Sequence, residues 1–357
     1  MLPRTNRVSL LLFSLISIFI CSLHTTAHSQ KSTNVLTILT WSDYLDPDVV
    51  KQFEEKYQTE IKFVYFEEDD ERDAIMVDSD GLGYDIILIS GIRVDLYKKK
   101  GWITSINEED VPNLKNIRKN WLKAFNGTEG YTVPYFWGTL GIAYRADLVK
   151  EKITSWKQLY QPDQSLKGKI FMLSSQRDLI GSAMKSLGYS INSTTKKEIN
   201  DVKELLIEQK PFVNHYGYIM VDANSSLVTG KDWVAMAFNG DAIMLQEHNE
   251  NIQYVLPEEG TNIWVDYFTI SSKASNQKLA HQFLNYLNEP KIAAQNSLFV
   301  YFATPNIEAE KLLPQNFINH PVIYPSQEIL AKSEFYKPLP PSTIKHMNSI
   351  VSDLKSN

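Results

Sequence analysis

The sequence predicts an α/β protein built as two lobes. Three observations carry that expectation. Short apolar runs alternate with helical patterns from residue 35 to residue 287. The 357 residues exceed what one core ordinarily serves, about 100 to 200 residues per lobe. No long linker and no internal repeat separates the halves, so the chain should cross between lobes more than once on strands. A crevice between such lobes can hold a ligand and shut on it.

The elements follow in order. Val35 to Thr40 reads as a strand, and Pro47 to Tyr57 as a helix with Val49, Val50 and Phe53 on one face. Ile61 to Phe66 is the next strand. Asp85 to Ile89 is apolar after its first residue, as in a central parallel strand buried on both faces. Further strands are expected at Gly138 to Tyr144, Lys169 to Leu173, Ala235 to Phe238 and Val265 to Ile270. Helices should begin near Ser155, run through Lys185 and Leu205, and form an amphipathic stretch at Lys278 to Leu287. Crossings near Thr139 to Ala143, Thr261 to Asp266 and Thr304 to Asn306 would give one lobe of 30–138 and 266–305 and another of 139–265 and 306–357.

The first 29 residues read as a cleavable secretory signal: Arg4 and Arg7, an uncharged and mostly apolar run from Val8 to Leu23, then Ala27-His28-Ser29. That run is slightly short of the roughly 17 to 25 residues a membrane span needs. The only cysteine, Cys21, lies inside it behind bulky Phe19 and Ile20, so lipidation is not expected and the mature chain would hold no thiol or disulfide. The formal charge is −6, or −8 without the two leader arginines, which argues against nucleic acid and weakly favours cationic partners.

Support for catalysis is missing. His215, His248, His281, His320 and His346 are isolated from one another, with no metal-binding spacing. There is no nucleophile elbow, phosphate loop or dinucleotide glycine motif. Neither a metal nor a cofactor is expected. The acids from Glu67 to Glu71 read as a solvated loop or a helix start.

A binding site has positive support. Trp41-Ser42-Asp43-Tyr44 follows the first strand, and Trp264-Val265-Asp266 opens a later one. Strand ends line the crevice of open α/β sheets. Each segment sets rings beside a carboxylate, the chemistry an alkyl ammonium needs. An aromatic face attracts the cation by about 0.5 to 2 kcal/mol, and the carboxylate adds a charge-assisted hydrogen bond.

These segments occur in order with Tyr84-Asp85-Ile86-Ile87, Pro134-Tyr135-Phe136-Trp137-Gly138, Leu187-Gly188-Tyr189-Ser190, Asn239-Gly240, Pro257-Glu258-Glu259-Gly260 and Thr304-Pro305-Asn306. Together they resemble the periplasmic spermidine/putrescine-binding proteins of bacterial ABC transporters, from Leu36 to about Tyr336. The resemblance implies a type II periplasmic-binding fold, a polyamine between the lobes, an inner-membrane ABC permease as partner, and a monomer in the periplasm. It implies Trp41, Ser42, Asp43, Tyr44, Ser90, Trp264 and Asp266 as ligand-binding residues. Trp264 would stack on the ligand and Asp266 would pair with an ammonium.

Departures from the family pattern alter charge. An Asp-x-x-Glu appears as Ser175-x-x-Asp178, leaving Asp178 as the single acid there. A tryptophan becomes Phe238, an aromatic near Thr304 becomes Phe302, a late glutamine becomes Tyr336, and a tyrosine pair becomes Ile92-Arg93. Arg93 would repel a dication if it faced the cleft, or else pair with a nearby acid. Asp241 is a candidate replacement for the lost carboxylate. The same scaffold with another solute, and a secreted α/β enzyme, are the alternative readings.

Overall fold

Ten strands form one sheet in the computed structural model, which describes residues 34–355. The leader and its signal-peptide reading lie outside the described residues. The strands are β1 (Asn34–Thr40), β2 (Thr59–Tyr65), β3 (Ile86–Ser90), β4 (Ile103–Thr104), β5 (Val133–Arg145), β6 (Ile170–Leu173), β7 (Val213–Gly217), β8 (Val234–Phe238), β9 (Ile252–Val255) and β10 (Ile263–Ser271). Their order is β2-β1-β3-β10-β5-β8-β6-β7, with β4 on β10 and β9 on β5. Helices of ten or more residues among those described are α1 (Pro47–Tyr57), α2 (Asp69–Ser79), α3 (Gln176–Ser186), α4 (Lys196–Gln209), α5 (Asn239–His248), α6 (Gln277–Leu287), α7 (Pro290–Val300) and α8 (Pro341–Lys355).

The pivotal element is β5, all of whose residues are buried. Its first part pairs antiparallel with β10, from Val133↔Phe268 to Thr139↔Ile263. Its second part, Leu140 to Arg145, pairs with β8 and β9. One strand thus joins two half-sheets. In each half the side chains alternate between two apolar clusters, as the period of two requires. Leu36, Ile38, Ile86, Leu88, Phe268 and Ile270 share one face of the first half, while Leu39, Ile87, Ile89 and Tyr267 share the other. In the second half Leu140, Ile142, Ile170, Met172, Val234 and Met236 oppose Ala143, Phe171, Ala235 and Ala237.

Local chemistry sets the helix ends. Asp46 caps α1 by accepting from the Asp48 amide at 2.8 Å, with Pro47 at the first helical position. Asn276 caps α6 through the Leu279 amide at 3.0 Å, and Ser175 accepts from the Asp178 amide to cap α3.

The segment 306–335 packs on clusters of both halves. Ala309, Leu313, Phe317 and Ile323 join the cluster of β3 and β10 rather than the second half. Two ties hold the chain there: an Ile117↔Asn306 bridge, and a 2.9 Å bond from the Asn306 side-chain amide to the Asn288 carbonyl. Val322 packs against the outer cluster of the second half, and Leu339 and α8 join its other cluster, where Met347, Ile350 and Leu354 are buried.

Candidate functional site

The carboxyl ends of two parallel sets of strands carry the polar side chains. β1, β2 and β3 run parallel, as do β8, β6 and β7. After β1 comes Trp41 to Tyr44, after β2 Glu68 and Asp69, and Ser90 ends β3. On the other half, Ser174 to Asp178 follow β6, Tyr218 follows β7, and Phe238 to Asp241 lie at the junction of β8 and α5. β10 begins with Trp264 and Asp266, and Asp266 is in register with Ser90. An irregularity between Asp266 and Tyr267 inserts Tyr135 into β5 opposite them. Such a bulge re-aims neighbouring side chains. Tyr135 uses its hydroxyl to fix the Tyr44 carbonyl at 3.0 Å.

Side chains of the two halves meet across the crevice. The Trp41 ring stacks on Tyr218, with centres 6.0 Å apart and planes 25° apart. Ser174 donates its hydroxyl to the Glu68 carboxylate. The aromatic wall continues from Tyr218 to Phe238 at 6.4 Å, Phe238 to Trp264 at 6.0 Å, and Trp264 edge-on to Phe302 at 4.8 Å. Phe302 in turn contacts Tyr44 at 5.9 Å. Two glycines make room for these rings. A Cβ at Gly138 would lie 2.4 Å from Trp264, and one at Gly240 2.5 Å from Phe302.

Two acids lie against this wall, each bonded to a tyrosine. Tyr44 donates to Asp266 at 2.8 Å, and Tyr218 donates to Asp241 at 2.8 Å. Burial pushes the Asp241 carboxyl up to about 7, against the lowering effect of Tyr218. Asp266 is likewise pushed up to about 7 by burial and then by the Asp69 charge, with Tyr44 and Arg72 acting the other way. Both tyrosines are held well above their ordinary value by burial and by the acid they serve, so they remain donors. Among the described residues neither Asp241 nor Asp266 forms an ion pair. Their arrangement can accept cationic donors while the rings cover alkyl carbon.

The acids that adjoin Asp266 at Ser90 are neutralised from within. Ser90 donates to Asp69 at 2.7 Å, and buried Arg72 pairs with Asp69 at 2.6 Å and Asp73 at 3.0 Å. Burial raises the Asp69 pKa, but Arg72, Arg93 and Ser90 together hold it below the ordinary range. Arg93 takes the paired alternative, donating to Asp70 at 3.0 Å and forming an ion pair with Asp73 at 3.2 Å. Asp178 accepts from Tyr336 at 2.9 Å, and burial pushes it up to about 6.

The structure therefore gathers Trp41, Tyr44, Phe238, Asp241, Trp264, Asp266 and Phe302 at one place. Ser90 lies beside the acids paired with Arg72 and Arg93, while Asp178, bonded by Tyr336, lies on the second half with no ion pair among the described residues. Ser42 and Asp43 are exposed on the turn after β1, where Asp43 adopts a left-handed backbone with φ of 52°. Sequence reasoning missed Asp69 and Tyr218. The acidic run hid Asp69, although its place directly after a strand was a usable signal. Tyr218 was missed because β7 is an edge strand with polar, exposed Asn214 and His215. Among the described residues no three His, Cys, Asp or Glu could hold a metal ion, and no helix is long and apolar enough to cross a membrane.

Two half-sheets whose strand ends meet over rings and acids define a solute-binding architecture, and the chain belongs to the bacterial extracellular solute-binding protein family, whose model matches residues 48–319. It is similar to the spermidine/putrescine-binding periplasmic protein of Escherichia coli strain K12, at 29% identity over 87% of this chain and 88% of that one. The putrescine-binding periplasmic protein SpuD of Pseudomonas aeruginosa strain UCBPP-PA14 is also 29% identical, over 90% and 92%. Among solved structures, a putative spermidine/putrescine ABC transporter from Listeria monocytogenes matches with a TM-score of 0.82 and 29% identity, over 91% of this chain and 99% of that one.

Proposed function

We propose that this protein is a periplasmic receptor that holds a polyamine in its crevice and delivers it, as a monomer and without catalysis, to an inner-membrane ABC permease. The proposed lobes are 34–139 with 263–335, and 140–255 with 336–355. One observation carries the reading. Asp241 is buried and Asp266 half-buried, both lack a cationic partner among the described residues, and both are walled by Trp41, Tyr44, Tyr218, Phe238, Trp264 and Phe302. Burying a carboxyl without a counter-charge is unfavourable, as the raised pKa values register. An ammonium supplied by a ligand relieves that cost, and its methylenes replace water against the rings. The family membership and the names of the relatives support the same class of solute.

In the proposed site Asp266 binds one ammonium with Tyr44 as its positioning donor, and Asp241 binds a second with Tyr218. Trp264 and Phe238 cover the chain between them. Titration calorimetry of residues 30–357 with putrescine and spermidine should show one ligand per chain. No heat with either at millimolar concentration sinks the proposal.

A further inference from the structure

We propose that Tyr301 and Glu247 are positioning residues for ligand capture, tying the two halves together outside the crevice so that both walls meet the ligand; the inference rests on the receptor reading. The tie joins α5 of the second half to the end of α7 in the first. Ala242 and Leu245 bury one face of α5 in the outer cluster of the second half. Gly240, Ile243 and Glu247, spaced three and four residues apart, share another face. That face belongs to the first half. Ile243 is buried in the cluster of β3 and β10, and a Cβ at Gly240 would lie 2.5 Å from Phe302 and 2.7 Å from the Val300 carbonyl. At the far end of the same face the Tyr301 hydroxyl donates to the Glu247 carboxylate.

Tyr301 stands where a helix end favours glycine. It closes α7 with φ of 56°, a left-handed conformation that strains any side chain. What the side chain reaches offsets that strain: Glu247 through the hydroxyl, and Phe317 at 6.4 Å between ring centres. The next residue is Phe302 of the aromatic wall, whose carbonyl accepts from Ser297 at 2.5 Å. The first turn of α5 carries Asp241 of the same site, and Glu247 lies about 9 Å farther along the helix. A bond there leaves the ligand's own contacts alone. It fixes the angle of α5 against α7, and with it the placing of Asp241 against Phe302. Loosening it lowers the fraction of molecules whose walls are together, and apparent affinity falls by that fraction for any ligand of the crevice.

The test is calorimetry with putrescine and spermidine on the leaderless chain, on Tyr301→Phe, on Tyr301→Glu, and on Tyr301→Glu combined with Glu247→Lys, with melting curves as the folding control. Tyr301→Phe keeps the ring and removes only the hydroxyl, so it remains informative if Tyr301→Glu proves unstable. Glu247 is exposed and Tyr301 half-buried, so loss of this one bond should weaken binding about threefold. Tyr301→Glu sets two carboxylates against each other and should weaken it about tenfold. Adding Glu247→Lys makes the pair attractive again and should bring affinity back to within about threefold of the parent. Every amine that the parent binds should change by the same factor, because the tie acts on the walls and not on a ligand contact. Unchanged affinity in Tyr301→Phe and Tyr301→Glu, a loss that Glu247→Lys does not restore, or unequal losses for the two amines overturns the tie and leaves the receptor reading intact. No heat with either amine in the parent overturns both.

Discussion

Lowering the pH from 7.5 to 5.5 should weaken amine binding steeply, because the two acids that would hold the ligand must be ionised to do so. Asp241 and Asp266 both have their pKa pushed up to about 7 in the ligand-free chain, chiefly by burial. A bound ammonium returns each toward the ordinary carboxylate range. The ionised fraction of a group with a pKa of 7 falls about 25-fold over this interval, so one acid costs about 25-fold in affinity. Two acting independently cost several hundred-fold, or about 4 kcal/mol. Near pH 7 each is half protonated, so binding should release about one proton per ligand. Calorimetry in buffers of differing ionisation enthalpy measures both quantities at once. An affinity that is flat between pH 5.5 and 7.5, with no proton released, would refute the claim that these acids are strained when empty.

Stability without ligand should show the matching sign. A folded-state pKa raised above the ordinary 3.8 contributes stability that is present at low pH and lost as pH rises through about 7. Asp241→Asn removes that loss, so its melting advantage over the parent should grow by about 2 kcal/mol from pH 5.5 to 7.5, and an advantage independent of pH would contradict it. Asp266→Asn should weaken amine binding by about 2 to 5 kcal/mol, whereas exposed Asp43→Asn should cost under about 0.5 kcal/mol; equal losses would show that burial does not rank the two. Gly138→Ala places a methyl 2.3 Å from Asn239 and 2.4 Å from Trp264, so a destabilisation of about 1 to 3 kcal/mol and a shifted tryptophan emission are expected in thermal and fluorescence measurements. Because a ligand touches both walls only when the crevice is shut, as it is where Trp41 meets Tyr218 and Glu68 meets Ser174, saturating putrescine should shift an open–closed equilibrium and reduce the radius of gyration in small-angle scattering, and an unchanged radius rejects closure.

Elements with a clear period were legible in the sequence. The helix α1 carries its cap, its N1 proline and its apolar stripe within a dozen residues, and its bounds follow from those alone. β3 and β8 are unbroken apolar runs, as burial on both faces demands. What local pattern could not show was partnership. β5 extends from Val133 rather than Gly138 because Pro134 and Tyr135 sit at an irregularity set by β10, a strand more than a hundred residues away. Trp264 and Asp266 were readable as a ring beside an acid. That Tyr218 faces Asp241, and that Tyr336 engages Asp178, depends on the meeting of segments far apart in the chain. The course of the chain after Asn306 is set by Asn288 and Ile117, contacts that leave no periodic trace.

The continuity of β5 has a bearing on how the molecule comes apart. Its 13 residues are buried without interruption, and each half-sheet pairs with a different stretch of the same backbone. Loss of order in either core strips the other of a neighbour, so the two cores share one unfolding fate rather than two. Cooperativity of this kind lets the walls of the crevice move against each other while neither can melt on its own.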